Sequence, residues 1–227
     1  MIRFIDIISS LSCIVILSPL FFILIIILKF TGEGEIFFSQ TRVGRYRKEF
    51  KLIKFATMLK NSPNMELGTV TVKNDPRILP IGSFLRDTKI NELPQLLNVL
   101  FGDISLIGPR PMTDEGFNSF SNIQKKEISK LLPGLSGVAS IILRNEESIL
   151  EQVKNPLDFH RNVLNPYKAD LEIWFGRKLS LKNYLILIFL TIIKVLFSKS
   201  NLISLIYKDL PPPPLELEKF LKLAQEV

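Results

Sequence analysis

Cysteine and histidine are nearly absent from this chain, with Cys13 and His160 the sole examples among 227 residues. A lone cysteine inside an apolar run excludes a disulfide framework and a cysteine-built zinc site. With a lone histidine, neither a histidine-based metal site nor a Ser-His-Asp triad is expected. Any bound metal therefore has to be held by oxygen, which points to Mg2+ or a similarly hard ion. Glycine signatures are missing as well. Gly32-Glu33-Gly34 lacks the third glycine of a dinucleotide fingerprint and follows an apolar helix instead of a strand, and no P-loop is present. Neither a reading helix nor stacking aromatics accompany the basic residues, so nucleic acid is not an expected partner.

Positive charge and apolar residues are what the chain has in quantity. Lys+Arg number 29 against 22 Asp+Glu, a formal +7, and 47% of the residues are hydrophobic. That balance suits phosphate-bearing partners or an anionic membrane surface. The length allows one good core and a small appendage. From Ile7 to Leu28 no charge occurs over about 22 residues, enough to cross a bilayer core as a helix at ~1.5 Å per residue. Asp6 and the lack of a small-x-small cleavage site argue against a secretory signal. Ser18-Pro19 interrupts the run: Pro19 removes the bond to the Val15 carbonyl, so a kink is expected, and the Ser18 hydroxyl can satisfy the freed carbonyl. Two readings follow, a kinked spanning helix and a helix that bends back to leave on the side it entered. Downstream, Arg42, Arg45, Arg47, Lys48, Lys51, Lys54 and Lys60 face only Glu49, and such a segment stays on the cytoplasmic side.

Enrichment in β-branched and aromatic residues predicts short strands in IFFSQTRVG, FKLIKF and GTVTVKND. INELPQLLNVLFG then predicts a helix. Asn91 caps it, Glu92 lies in its first turn and Pro94 falls where a missing N–H costs little. Leu93, Leu96, Leu97 and Leu100 mark its apolar face, and Gly102 stops it. GDISLIGPRP reads as a loop whose prolines bracket Arg110. Residues 146–165 read as a polar helix with His160 on its surface. Asn183 to Phe197 is a second apolar stretch, flanked by Lys178, Lys182, Lys194 and Lys199. It fits either an interfacial helix with snorkelling lysines or a buried core helix. Pro211 to Pro214 space off an amphipathic LELEKFLKLAQEV, which can dock on its own domain, on a second subunit in a homo-oligomer, or on a membrane.

The chemistry centres on Asn91-Glu92. A carboxylate at a helix start, with Arg86 before it and Arg110 after it, resembles a phosphate site. Helix amides and dipole favour anions there, and arginine forks grip phosphoryl oxygens. Phosphoryl transfer needs a metal ion, charge neutralisation and a positioned nucleophile, and Glu92 can serve as metal ligand or nucleophile. Taken alone, Arg86 and Arg110 are equally compatible with ordinary surface arginines.

Four stretches together resemble the bacterial monotopic phosphoglycosyl transferases, the polyprenyl-phosphate sugar-phosphotransferase family. They are RFIDIISSL…LSPL, IFFSQTRVGRYRKEFKLIKFATM, NDPRILPIGSFLRDTKINELPQLLNVLFGDISLIGPRP and PGLSGVAS, in order from about Arg3 to Phe197. The resemblance implies an α+β, helix-rich, membrane-associated monotopic domain with interfacial helices. Its parts are a re-entrant helix at 1–30 bent at Ser18-Pro19, a cytosolic-face catalytic domain at 31–200 with an interfacial helix near 183–197, and the proline-spaced tail at 201–227. It also implies Mg2+, a nucleotide-sugar donor (usually UDP-linked) and an undecaprenyl phosphate acceptor at the cytoplasmic face of the bacterial inner membrane. Sugar 1-phosphate passes to the lipid and UMP leaves.

In the family an Asp-Glu pair stands where Asn91-Glu92 stands here, and the Asp attacks the donor phosphate. Asn91 is a poor nucleophile that brings no charge to a metal, so Glu92 becomes the candidate catalytic group, with Glu92 and Asn91 the candidate metal ligands. An inactive or regulatory relative that binds donor or polyprenyl phosphate is the alternative this change suggests. Lys54, Arg77, Arg86 and Arg110 are retained as the candidate phosphate-binding residues. Ala56 replaces an arginine common in the family, and after PGLSGVAS the family's Gln-Val-Asn wording gives way to IILRNEES.

Overall fold

A computed structural model describes residues 1–62, 65, 75–197 and 200–226. The chain starts with helix α1 (Ile2–Phe30), continuous through Pro19. Ser18 Oγ donates to the Val15 carbonyl at 2.8 Å, which satisfies the acceptor that proline leaves without an N–H. Gly32 and Gly34, both at positive φ, turn the chain. Strands β1 (Phe37–Val43) and β2 (Glu49–Phe55) follow and form a two-stranded sheet, as their sequences predict. The stretch GTVTVKND falls almost wholly outside the described residues. Helices α2 (Gly82–Asp87) and α3 (Gln95–Phe101) come next, and Gly102 closes α3 at φ 93° as expected. The described chain is helix-rich with two small sheets, compatible with an α+β class.

The chain separates into two compact units. The N-terminal unit comprises Phe4–Thr41 and Lys51–Gly102. Its core joins Leu24 and Leu28 of α1 to Phe55 of β2 and Leu85 of α2, with Phe21 and Phe37 against the Phe55 ring at 5.4 and 5.5 Å. Strand alternation then turns Lys54, one residue before Phe55, to the other face of β2.

The C-terminal unit comprises Met1–Arg3, Arg42–Phe50 and Asp103–Val227. Its sheet pairs β3 (Ser105–Ile107) in parallel with β4 (Gly134–Ser136). The stretch read as a plain loop thus contains a strand. Its three residues are too few to carry a period-2 signal, and pairing with a segment almost thirty residues away defines it. Gly134 and Gly108 permit the close approach: a Cβ on Gly134 would lie 2.1 Å from the Gly108 nitrogen. Helices α4 (Asp114–Asn118), α5 (Asn122–Ile128), α6 (Val138–Ile142), α7 (Glu146–Leu150), α8 (Pro156–Phe159), α9 (Asn165–Arg177), α10 (Leu181–Leu196), α11 (Leu202–Ile206) and α12 (Leu215–Glu226) complete it. Phe117, Phe120, Ile128, Ala169 and Ile173 form a core cluster with Val43.

The single polar helix expected over 146–165 is instead three pieces. A wider turn of five residues, His160–Leu164, joins α8 to α9, and Pro156 and Pro166 stand where new turns begin. Helix α10 contributes to the core on one side only. Tyr184, Leu187 and Leu190 are buried, whereas Leu185, Phe189, Ile192 and Val195 are exposed. Hydroxyl contacts fix its inner face to the sheet, Ser105 to Tyr184 at 2.8 Å and Ser136 to Thr191 at 3.0 Å. The tail docks on its own unit. Leu217 and Phe220 are buried, Phe220 meets Phe159 edge-on at 5.9 Å, and Tyr167 donates to the Pro211 carbonyl at 3.2 Å.

Candidate functional site

Lys54 and Glu92 meet in the N-terminal unit. Lys54 Nζ lies 2.8 Å from Glu92 Oε1, and both side chains are largely withdrawn from solvent. The turn that delivers Glu92 depends on Lys89, whose left-handed φ of 60° reverses the chain after α2. Ile90–Glu92 then form a single 3-10 turn, closed by the Glu92 and Leu93 N–H groups donating to the Lys89 and Ile90 carbonyls. Asn91 therefore does not cap the helix. Helix α3 starts only at Gln95, behind Pro94, and no side chain caps it. Anion preference at Glu92 cannot be attributed to helix amides either, since the nearby N–H groups are used within the turn and α3 has only seven residues.

The buried face of α3 also differs from its leucine stripe. Gln95, Leu96, Asn98 and Val99 are buried, with Leu93, Leu97 and Leu100 only partly so. Asn98 Oδ1 accepts from the Ile53 N–H at 3.0 Å and its Nδ2 donates to the Lys51 carbonyl at 2.8 Å. One carboxamide thus locks α3 to the stretch of β2 that presents Lys54. Sequence reasoning missed Asn98. The available signal was a polar residue directly beside Leu96, Leu97, Val99 and Leu100 in an otherwise apolar run.

Asn91 is buried, and its Oδ1 has no hydrogen-bond partner among the described residues. An unpaired buried carbonyl costs ~1–3 kcal/mol, so its lone pairs are available to a ligand. With Glu92 next to it, this turn offers two hard oxygen donors. No cluster of three or more His, Cys, Asp or Glu side chains occurs among the described residues. Glu92 and Asn91 are the oxygen donors this turn would lend to Mg2+, with water and substrate phosphates completing the shell.

The arginines divide into different environments. Arg77 is buried, with Nε and Nη2 donating to the two Asp75 oxygens at 2.9 and 2.6 Å and Nη1 to the Ser62 carbonyl at 2.8 Å. Its fork is engaged in holding the loop together, so a direct grip on phosphate would require that pair to open. Arg86, in the last turn of α2, is half-buried, with Nη1 3.7 Å from Met58 Sδ. Arg110 is exposed in the C-terminal unit just after β3. The carbonyls of both flanking prolines are fixed: Pro109 accepts from the Gly134 N–H at 2.9 Å and Pro111 from Arg42 Nη1 at 3.2 Å.

A further ionic cluster lies in the C-terminal unit. Glu146 Oε1 is 2.6 Å from Lys168 Nζ and 3.2 Å from His160 Nε2, so His160 is not an isolated surface side chain. Burial would raise the Glu146 carboxyl, but His160 and Lys168 outweigh it and hold the pKa down at about 2. Burial lowers Lys168, as does the charge of Arg110, against the opposing pull of Glu146.

The sequence profile described as bacterial sugar transferase matches residues 1–198. The exopolysaccharide production protein ExoY of Sinorhizobium fredii is 31% identical over 187 residues, covering 76% of this chain and 81% of that protein. The UDP-glucose:undecaprenyl-phosphate glucose-1-phosphate transferase of Escherichia coli is 31% identical over 198 residues, 86% of this chain. The UDP-galactose-lipid carrier transferase of Erwinia amylovora is 36% identical over 161 residues, 64% of this chain. The matches span only 40% and 33% of these last two proteins.

Proposed function

The chain belongs to the bacterial sugar transferase family, enzymes that move sugar phosphates, and from that premise we propose that it transfers a sugar 1-phosphate from a UDP-sugar to undecaprenyl phosphate. UMP is the leaving group, and the product lipid enters polysaccharide assembly. The observation that carries this reading is the turn in which Glu92, held by Lys54, adjoins the unpartnered Asn91 oxygen. Bond making occurs at the sugar-bearing phosphorus and breaks its bond to the UMP oxygen. Either the Glu92 carboxylate or the acceptor phosphate supplies the incoming oxygen. Lys54 and Arg86 neutralise phosphate charge, and Arg77 supports them through Asp75. Mg2+, when bound by Glu92 and Asn91, supplies further charge neutralisation at the diphosphate.

Membrane seating follows from α1. Among the described residues it is the one helix long and apolar enough to cross a bilayer. Asp6 and Ser10 near its start are 1% and 0% exposed, and Leu24 and Leu28 near its end are buried. Between them Leu11, Val15 and Ile16 stand exposed. Exposed apolar side chains run from Phe4 and Ile8 through Val15 and Ile16 to Phe22 and Phe30, and α1 is unbroken in this structure, so the support for a re-entrant turn at Ser18-Pro19 is the proline itself and the basic segment that follows the helix. Residues 1–30, 31–200 and 201–227 then act as anchor, catalytic domain and tail.

Asn91 favours a second reading, a silent relative that binds donor or lipid without turnover. UMP release from a UDP-sugar in the presence of Mg2+ and polyprenyl phosphate separates the two. The expected result is wild-type turnover that Glu92→Gln abolishes with little loss of stability. A wild type that stays silent until Asn91→Asp is introduced would establish the second reading. Turnover that survives Glu92→Gln would remove Glu92 from the site.

A further inference from the structure

Gln95, the first residue of α3, is 3% exposed, and its Nε2 has no hydrogen-bond partner among the described residues. A buried amide left open gives up its hydration without return, so it calls for an acceptor that reaches it in another state of the site. Two contacts with β2 bracket it, all within the N-terminal unit. One turn further along α3, Asn98 bonds the Lys51 carbonyl and the Ile53 N–H, and before it Glu92 meets Lys54 at 2.8 Å. Gln95 therefore lies between Asn98 and the Lys54–Glu92 pair. Leu93 (φ −54°, ψ −35°) and Pro94 (φ −61°, ψ −17°) both have helical backbone, so one turn carries the chain from Glu92 to Gln95. Side chains three residues apart on such a turn are neighbours. Glu92 is also the sole carboxylate between Asp87 and Asp103 in the sequence.

Lys54 cannot serve Glu92 and a substrate phosphate equally, because it has one charge to give. In the proposed reaction that charge is needed at the donor diphosphate. As Lys54 turns to phosphate, the Glu92 carboxylate loses its partner in a place largely withdrawn from water. A neutral amide is the fitting successor. It donates to the carboxylate and keeps it ionised, without the positive charge that would quench it as Lys54 does. We propose that Gln95 is a positioning residue for Glu92, its Nε2 taking over the carboxylate when the donor diphosphate draws Lys54 away. This rests on the proposed transfer reaction and adds an exchange of partners at the same turn.

A double-mutant cycle on the full chain, without substrate, tests the exchange apart from turnover. Lys54→Met removes the ammonium as a substrate would, and Gln95→Met keeps the bulk of the side chain while removing its amide. Urea unfolding in detergent micelles is the readout. Gln95→Met should cost about tenfold more in the unfolding equilibrium constant in the Lys54→Met background than in the wild-type one, the effect of one hydrogen bond to a charged group. An equal cost in both backgrounds would overturn the proposal. UMP release gives the second readout. Gln95→Met should raise the donor KM about tenfold and leave the acceptor KM near wild type, because the exchange accompanies donor binding. The acid limb of the kcat–pH profile should also move to higher pH, since a carboxylate without its donor holds a proton more readily. A rise in donor KM with an unmoved acid limb would make Gln95 a packing residue only, and an unchanged donor KM would sink the exchange outright. If the wild type releases no UMP, the transfer reaction fails, and the cycle still decides whether Gln95 answers for Glu92.

Discussion

Asn98 makes two hydrogen bonds that no apolar side chain in its place can supply, one to the Ile53 N–H and one to the Lys51 carbonyl. Lys54 follows at once on the same strand, so its position against Glu92 depends on an amide it does not touch. Asn98→Ala should lower stability by ~2–3 kcal/mol, because two backbone groups lose their partner. It should also slow UMP release beyond what the loss of folded protein explains, measured on samples matched for folded fraction. Glu172 carries a different liability. Its Oε1 accepts from the Ala139 N–H at 2.9 Å, Oε2 has no partner among the described residues, and burial pushes the pKa from 4.5 up to about 7. The folded state then holds the proton more tightly than the unfolded chain. Its contribution to stability is full below about pH 4.5, is lost as pH rises towards 7, and stays lost above that. Glu172→Gln should flatten this part of the pH–stability curve while keeping an acceptor for Ala139, as thermal melts from pH 5 to 8 will show.

Helix α1 poses the question of topology. Its Ser18–Val15 bond lets proline sit within an unbroken helix, so the kink-prone position is retained without an orphan carbonyl in an apolar setting. With a re-entrant helix, tags at residue 1 and residue 40 react with an impermeant reagent from the same, cytoplasmic side. Labelling from opposite sides would establish a spanning helix. Pro19→Ala, which restores the N–H, should move the population towards spanning. Helix α10 handles apolar residues in another way, packing one side on the sheet and leaving the other exposed. An apolar stretch that short thus supplies core on one side and exposed apolar surface on the other.

Taken over its full length, the molecule combines a net charge of +7 with long exposed apolar side chains on α1 and α10, a pairing suited to an anionic bilayer surface. The tail adds an intramolecular clasp. Phe220 and Leu217 lie in the core of the C-terminal unit, and the prolines before them are tied through Tyr167. Phe220→Ala should free residues 211–226, detected as faster amide exchange there, at a cost of ~3–5 kcal/mol. Because Phe220 meets Phe159 of the same chain, the mass measured by light scattering should not change. A change in mass would place the tail between subunits.

The long apolar run of α1, the two strands around the basic turn and the Gly102 stop were legible in the residues, since each rests on local physics, whereas the expected kink at Ser18-Pro19 is absent from a helix continuous through Pro19. Apolar runs, proline's missing N–H, alternation along a strand and a glycine at positive φ act within a few positions of one another. The corrections share the opposite cause. The true start of α3, the strand inside GDISLIGPRP, the engagement of Arg77 by Asp75 and Ser62, and the bonds of Asn98 to β2 depend on partners brought close by folding. Hydrogen-bond demand and burial are satisfied across space, so a chain read in order can show which side chains are able to make such bonds, while packing chooses the ones that do.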